Sequence, residues 1–432
     1  MIPLENFEVS LFELLKSLSK SIDMVSPAVN NHHYQVAYTC LRLANLLDLN
    51  EAETRHVTFA ALLHDIGALT LKERKDLLEF DFEGLHHHSE AGYWFLVDAK
   101  LLSRYAETIR YHHYDWKKGE GDSFAGQKVP LASHIIHLAD RASILAAGQD
   151  NVLNQTDSII QKIETEIDSK FKPELVLAFK NLAQEEAFWL DLTAPRPGQH
   201  MDRWLEKKYL PLDIDGLLEI GQIFQRIIDF RSSFTATHST GVARVASGLA
   251  EKRDFNETEV KQMEAAGYFH DLGKLAVPTE ILEKDGELTE QEFATMRRHT
   301  YYTYRALEEI KDLRQINHWA AYHHEKLNGS GYPFKLDAEN LDDGARIMAV
   351  ADIFTALTED RPYRAGMEKR KTAEILSSMV KDGEIDGNIV RVLLQNFDEL
   401  DSLRQRASSE SSRKYLEFSN NLQNSEFLAA TA

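Results

Sequence analysis

Two copies of a histidine followed directly by an aspartate are the residues in this sequence best suited to chemistry. The second copy is the stretch His270–Lys274, HDLGK, and the first is the stretch His64–Ala68, HDIGA. An imidazole beside a carboxylate can hold a divalent metal ion, and the carboxylate can reach a second ion. A lysine one turn later can meet a phosphate held at such a centre. Both copies therefore predict metal binding, and only the second predicts a phosphate contact.

Further histidines and aspartates complete a donor set around the second copy. Five imidazoles and two carboxylates exceed the needs of one ion but suit two ions with positions open for water and substrate. Donors of these types without a thiolate favour Fe, Mn, Zn or Ni. Two such ions can clamp a phosphodiester and stabilise its leaving oxygen. The candidate ligands are His238, His270, Asp271, His299, His323, His324 and Asp352.

The first half of the chain repeats this set in the same order. The first histidine precedes the His-Asp pair by 32 positions in both halves (64 − 32 and 270 − 238). The helix that leads to each pair begins at a capping sequence, Asn50–Glu53 or Asn256–Glu259. A lone histidine is usually structural, but a recurring ordered set predicts a duplicated domain. The candidate second metal site comprises His32, His64, Asp65, His88, His112, His113 and Asp140.

Helical patterns surround both sets. Apolar residues recur at helical spacing, for example in residues 10–24 and 131–145, and strand-like alternation is nearly absent. Pro195–Gly198 and Pro211 interrupt the pattern between the halves. We predict an all-α fold with domains at residues 1–205 and 206–400, followed by a polar C-terminal helix or tail at residues 401–432.

Composition restricts the partners that we expect. A formal charge of −20 over 432 residues argues against binding to a DNA or RNA polymer, although metal ions can still attract a small phosphorylated ligand. We expect no membrane association, because no apolar run approaches the length needed to span a bilayer. The acidic start lacks the basic region of a secretory signal, and one cysteine, Cys40, suits a reducing compartment. These features predict a cytoplasmic protein.

The motifs of the second half resemble the HD-GYP family, a bacterial branch of the HD-domain metal-dependent phosphohydrolases. The matching stretches are THSTGVA, HDLGKLAVP, HHEKLNGSGYP and ADIFTALTEDRPYRAG. The resemblance implies tandem all-α HD-type domains, the second of HD-GYP type, with a di- or trinuclear metal centre. It also implies hydrolysis of cyclic dinucleotides, typically cyclic di-GMP.

The resemblance assigns roles to further residues of the second half. It makes Asp271 a bridging ligand and Lys274 a contact to the scissile phosphate or a proton donor to the leaving group. Arg361 and Arg364 resemble positions that grip substrate phosphates, with a solvated helix end as the alternative. Gly331 shapes the substrate-binding loop, and the adjacent Tyr332 lines the pocket or anchors the same loop.

One departure from the family concerns the number of metals. Trinuclear members carry a glutamate four residues before the first histidine, and that position here is Phe234. A phenyl ring cannot coordinate a metal. We therefore predict two divalent ions, Fe, Mn or similar, in the second half.

The first half resembles the wider HD superfamily and leaves two interpretations open. It lacks the lysine, which is replaced by Ala68, and the glutamate after the double histidine, which is replaced by Tyr114. It also lacks the GYP loop and the RPYR stretch. It is either a decayed copy with a structural or dimerisation role, or a metal-binding phosphatase, resembling a 5'-nucleotidase. The latter would act on the linear dinucleotide released by the second half.

These observations predict a bacterial phosphodiesterase that opens cyclic di-GMP or 3',3'-cyclic GMP-AMP to the linear dinucleotide. The alternatives are a non-enzymatic cyclic-dinucleotide receptor that signals through a protein partner, and a phosphohydrolase of mononucleotides. The complete ligand set and Lys274 argue against a receptor. The GYP and RPYR features argue against a mononucleotide enzyme, which would not need them. A homodimer is compatible with the sequence, which does not specify the oligomeric state or the upstream signal.

Overall fold

A computed structural model describes residues 7–23, 31–70, 73, 76–77, 79–80, 86–147, 151–194, 201, 210–231, 237–360 and 365–431. Phe234, Arg361 and Arg364 lie outside the described residues. The chain divides into two compact units. The first unit comprises Leu11–Leu210 together with the chain from Asn420 on, and the second comprises Pro211–Ser419 together with the residues up to Ser10.

Helices form nearly all of the regular structure in the described part of the first unit. Its helices are α1 Leu11–Asp23, α2 His32–Leu46, α3 Glu51–Leu63, α4 His86–Leu96, α5 Ser103–Arg110, α6 Leu131–Ala146, α7 Thr156–Thr165, α8 Pro173–Leu182 and α9 Glu186–Leu192. Short 3-10 helices lie at Lys117–Asp122 and Val152–Asn154. A two-residue antiparallel pair joins Ser123–Phe124 to Gln127–Lys128.

The second unit is likewise helical over its described residues. Its helices are α10 Ile214–Asp229, α11 His238–Glu251, α12 Glu257–Phe269, α13 Thr279–Leu282, α14 Glu290–Met296, α15 Arg298–Leu307, α16 Arg314–Ala321, α17 Asp343–Thr358, α18 Lys369–Lys381 and α19 Gly387–Gln395. Short 3-10 helices lie at Leu272–Ala276 and Lys311–Leu313. Val9–Ser10 pairs antiparallel with Pro211–Leu212. The prediction of an all-α fold is confirmed.

The chain ends in two further helices, α20 Phe397–Gln423 and α21 Glu426–Thr431. The predicted polar helix or tail at 401–432 is therefore helical over nearly all of its described residues. Phe427 is fully buried and packs with Tyr111 and Val129 of the first unit. No helix among the described residues is long and apolar enough to cross a membrane.

The predicted capping sequences begin the helices that present the two His-Asp pairs. The Asn50 side chain accepts the Glu53 backbone N–H at 3.0 Å, and the Glu53 carboxylate accepts the Asn50 N–H at 2.9 Å. Asn256 and Glu259 form the same reciprocal pair, with both distances 3.0 Å. Each cap satisfies amide groups that a helix start leaves unpaired. The helices α3 and α12 therefore begin at equivalent residues and both end at the histidine of the pair.

A glycine after each His-Asp pair allows two backbone segments to touch. A Cβ on Gly273 would lie 1.9 Å from the carbonyl oxygen of His299, and a Cβ on Gly67 would lie 2.1 Å from that of His88. The Gly273 N–H also donates to the Thr303 hydroxyl at 2.9 Å. Only glycine fits this approach. The glycine thus sets the distance between the His-Asp turn and the helix that carries the next histidine.

Replacing Gly273 with alanine is expected to lower the free energy of unfolding by about 1–3 kcal/mol, because the added Cβ must push the turn away from α15. Urea unfolding of the full chain measures the change. Gly221→Ala is the control, since a Cβ there would meet its nearest neighbour, Tyr268 Cβ, at 3.3 Å. Equal destabilisation by the two substitutions would contradict this explanation of the motif.

Candidate metal centres

The second unit brings all seven of its predicted ligands together. His238, His270 and Asp352 form one group whose donor atoms lie within 4.8 Å of one another, and His299, His323 and His324 form another. Asp271 lies between the groups. Its Oδ2 is 3.2 Å from His270 Nε2, and its Oδ1 is 3.6 Å from His299 Nε2. The arrangement could hold two ions that share the Asp271 carboxylate.

Helix ends supply most of these donors. His238 is the first residue of α11, His270 is the C-cap of α12, and His299 lies in the first turn of α15. The pair His323-His324 follows α16, whereas Asp352 lies in the interior of α17. All of these side chains except His324 are buried. Packing of the helices, rather than a single loop, therefore gathers the donors.

Backbone carbonyl groups fix the orientation of three of the imidazoles. The Nδ1 atoms of His270, His299 and His323 lie 2.7, 2.7 and 2.6 Å from the carbonyl oxygens of Gly267, Met296 and Ala320. A carbonyl only accepts, so each Nδ1 carries the proton and each Nε2 keeps a lone pair. His270 Nε2 is buried without a hydrogen-bond partner. Metal-bound histidines have this arrangement, in which the second nitrogen donates to a carbonyl group.

The pKa shifts of three of these side chains, His299, His323 and Asp271, also fit a metal centre. Burial lowers the pKa of His299 to about 3 and also lowers the pKa of His323. Burial opposes ionisation of Asp271, but the surrounding His270 and Lys274 outweigh it and hold the pKa of that carboxyl well below its usual range. Neutral imidazoles and ionised carboxylates are the forms that bind divalent metals.

Lys274 lies directly at the shared carboxylate. Its Nζ atom is 2.6 Å from Asp271 Oδ2, and its side chain is 17% exposed. Burial disfavours the ammonium ion, but the Asp271 carboxylate outweighs burial and raises the pKa of Lys274. The structure therefore places a charged donor beside the Asp271 carboxylate and within reach of solvent.

The loop that contains the GYP sequence lies beside this centre. The ring of Tyr332 lies 5.0 Å from that of His324, so Tyr332 adjoins a predicted ligand. A Cβ on Gly331 would lie 2.4 Å from the backbone nitrogen of Lys326. Position 331 therefore requires a residue without a side chain. The Glu325 carboxylate accepts the backbone N–H groups of Phe334 at 2.6 Å and Leu336 at 3.1 Å and closes the loop.

One contact in the second unit was not predicted from the sequence. The Glu359 carboxylate accepts from His238 Nδ1 at 3.1 Å, while His238 Nε2 lies 3.0 Å from Asp352. Glu359 is 3% exposed. The two residues are 121 positions apart, so no local pattern indicates their contact.

The first unit assembles its predicted donors in the same way. Asp65 Oδ1 lies 3.1 Å from His88 Nε2 and 3.5 Å from His112 Nε2, and Asp65 Oδ2 lies 3.3 Å from His64 Nε2. His32 Nε2 lies 3.0 Å from Asp140 Oδ1. His113 completes a donor group with Asp65, His88 and His112. In both units, one carboxylate thus lies between two groups of donors.

Three features of the first unit differ from the second. The buried Arg141 donates to Asp140 at 2.9 and 2.7 Å, where the second unit has Ile353 after its aspartate. Comparison of the two halves of the sequence could have identified this difference. His33, beside His32, pairs with Asp23. Phe427 contacts Phe124 and the two tyrosines that flank the double histidine, Tyr111 and Tyr114.

Comparison with known proteins agrees with these two assemblies. A family model described as HD domain matches residues 16–175 and 222–389. The chain belongs to the HD domain family. Its two matched regions confirm the predicted HD-type domain in each half.

Three similar proteins are cyclic-dinucleotide phosphodiesterases. The chain is 29% identical over 402 residues to the 3'3'-cGAMP-specific phosphodiesterase 1 of Vibrio cholerae, over 90% of this chain and 92% of that protein. It is 36% identical over 167 residues to a cyclic di-GMP phosphodiesterase of Pseudomonas aeruginosa, over 38% and 39% of the two chains. The fold matches a crystal structure of a cyclic GMP-AMP-specific phosphodiesterase of V. cholerae, with a TM-score of 0.63, 22% identity, and coverage of 90% of this chain and 98% of that chain.

Removing the Glu359 carboxylate is expected to weaken metal binding by the second unit. Glu359→Ala frees the His238 ring, and loss of such a supporting contact typically lowers affinity about 10–100-fold. Competition with a chromophoric chelator measures the change. Glu374→Ala is the control, because that side chain is 66% exposed on α18. An unchanged affinity in the Glu359 variant would show that this carboxylate does not position His238.

Proposed function

We propose that this protein is a metal-dependent phosphodiesterase that opens a 3',5'-cyclic dinucleotide to the linear dinucleotide. The observation that carries the proposal is the Asp271 carboxylate, which lies between two donor groups with Lys274 at its edge. A relative that aligns along both halves is named for 3'3'-cGAMP. We therefore propose 3',3'-cyclic GMP-AMP as the preferred substrate, with cyclic di-GMP as the alternative.

We propose two divalent ions, Fe, Mn or similar, in the second unit. The seven side chains fit them, because His270 Nε2 is buried without a hydrogen-bond partner and every donor is nitrogen or oxygen. The ions would be held by His238, His270, Asp271 and Asp352 on one side and by Asp271, His299, His323 and His324 on the other. When bound, such ions activate water and stabilise charge on the phosphate.

The side chains around the centre act on the substrate directly. The Lys274 ammonium contacts the scissile phosphate or gives a proton to the leaving oxygen, since it is the charged donor nearest the bridging carboxylate. Tyr332 bounds the pocket beside His324. Gly331 lets the loop fold back on its own backbone. We propose that Arg361 and Arg364 bind the substrate phosphates, because a guanidinium group can donate two hydrogen bonds to one phosphate.

The ligand set favours an enzyme over a receptor, because a receptor needs neither a complete donor set nor a charged lysine. The composition is compatible with a bacterial cytoplasm, since the single cysteine, Cys40, is buried as a thiol. We propose that location together with a small-molecule substrate and no nucleic-acid polymer.

For the first unit we propose a second metal centre that hydrolyses a smaller phosphate ester. Its seven donors converge as in the second unit, but Ala68 replaces the lysine. Burial lowers the pKa of His112 to about 4 and thus favours the neutral, metal-binding form. A terminal phosphate on the linear dinucleotide is the proposed substrate. The converging donors favour this interpretation over a purely structural or dimerisation role.

Replacement of Asp271 with alanine is expected to abolish turnover, because both donor groups lose their shared carboxylate. Replacement of Lys274 with alanine is expected to lower kcat about 10²–10⁴-fold at unchanged metal content, as loss of a positioned proton donor does. Anaerobically purified, Mn- or Fe-loaded protein is incubated with each cyclic dinucleotide, and chromatography identifies the products. Full activity of the Asp271 variant would refute the mechanism.

Elemental analysis of the same preparations provides the control. The Lys274 variant should retain the metal content of the parent protein, whereas the Asp271 variant should lose metal. Three ions per second unit would contradict the proposal of two.

The double substitution His64→Ala and Asp65→Ala is expected to lower metal content and to stop release of inorganic phosphate from the linear dinucleotide. Opening of the cyclic dinucleotide should continue, because the second unit keeps its full donor set. A malachite-green assay measures phosphate, and chromatography follows the dinucleotides. Unchanged metal content together with unchanged phosphate release would refute a catalytic role for the first unit.

A further inference from the structure

The first unit contains a buried histidine that its predicted ligand set does not use. His33 follows His32 at the start of α2 and is 2% exposed. Its Nδ1 atom lies 2.5 Å from Asp23 Oδ1, and its backbone N–H donates to Asp23 Oδ2 at 3.3 Å. Its Nε2 atom is buried and has no hydrogen-bond partner. Buried polar atoms are normally satisfied, so this atom indicates a missing ligand.

The orientation of His33 brings that ring close to the metal centre. Its ring centroid lies 4.9 Å from that of His64. Donor atoms of His33, His64 and Asp65 all lie within 4.8 Å of one another. Two donors bound to one ion at about 2.1 Å lie up to about 4.2 Å apart, so shifts of a few tenths of an ångström would close this group around an ion.

The second unit has a different residue at the same place. Ser239 corresponds to His33 and Asp229 corresponds to Asp23, because both pairs are separated by 206 positions (239 − 33 and 229 − 23). The Ser239 hydroxyl donates to Asp229 at 2.7 Å, and the Gln225 amide donates to it at 2.6 Å. The Asp229 carboxylate therefore has hydrogen-bond donors without an imidazole at the position of His33.

We propose that His33 is an additional metal ligand of the first unit and that Asp23 positions it. A carboxylate that accepts from one imidazole nitrogen while the other faces a metal is a common metal-site arrangement. The predicted ligand set of the first unit has five imidazoles and two carboxylates, Asp65 and Asp140. His33 raises the number of imidazoles to six. Such a nitrogen-rich set suits Zn, Fe, Co or Mn rather than Ca or Mg. The inference rests on the proposed function only in requiring that the first unit binds metal.

The test isolates the first unit within the full chain. The parent variant carries His270→Ala and Asp271→Ala, which removes the bridging carboxylate of the second unit. His33→Ala, His33→Gln and Asp23→Asn are then added one at a time. Elemental analysis and chelator competition measure metal content and affinity for Zn(II), and Co(II) absorption reports the coordination of the ion. Thermal unfolding of each metal-free variant measures folding separately.

Loss of His33 is expected to lower affinity at least about tenfold, or to remove one equivalent of metal, and to change the Co(II) absorption. Asp23→Asn should act in the same direction with a smaller effect. Added imidazole should restore metal binding to the His33→Ala variant, because it can occupy the vacated position. A residue with a purely structural role would not give this rescue.

A matched control uses the opposite parent variant, His64→Ala with Asp65→Ala. There, Ser239→Ala should leave the metal affinity of the second unit unchanged.

If the first parent variant, His270→Ala with Asp271→Ala, binds no metal, both the proposed first-unit centre and the role of His33 are overturned. If it binds metal and the His33 variants keep its affinity and Co(II) spectrum, only the role of His33 is overturned. If His33→Ala does not fold, His33→Gln and Asp23→Asn decide by the same measurements.

Discussion

In each unit, the arrangement of the donors depends on one buried carboxylate that lies among imidazoles of fixed orientation. In the second unit Asp271 faces His270 with one oxygen and His299 with the other. Asp65 divides its oxygens in the same way in the first unit. Hydrogen bonds from Nδ1 to backbone carbonyl groups hold the rings, so the Nε2 lone pairs point toward the carboxylate. A bound cation would satisfy both the charge and the lone pairs of these buried polar atoms.

This convergence imposes constraints on residues that do no chemistry. Gly67 and Gly273 allow the His-Asp turn to touch the next helix, because any side chain there would overlap a backbone carbonyl. The caps at Asn50 and Asn256 fix where α3 and α12 begin. Because the same glycine and the same helix cap recur in both units, the spacing of the donors is preserved even where other residues differ.

The two units differ most in the groups adjacent to the shared carboxylate. The second unit places the Lys274 ammonium there, while the first unit has Ala68 and a buried His33. A charged lysine suits contact with a phosphodiester, whereas a further imidazole strengthens a metal centre. The GYP loop, closed by Glu325, is also confined to the second unit. The two units thus share the arrangement of their donors and differ in the groups beside the shared carboxylate.

The sequence alone determined the helical class, the duplication and the order of the fourteen predicted donors, because these depend on local periodicity, caps and short motifs. It did not identify Asp23 as a partner of His33, although the repeated offset of Asp229 was available as a signal. The contact between His238 and Glu359, and the packing of Phe427 against Tyr111, were decided by the tertiary structure. Such pairs are far apart in the chain, and their contact depends on how whole helices pack, which short-range patterns do not encode.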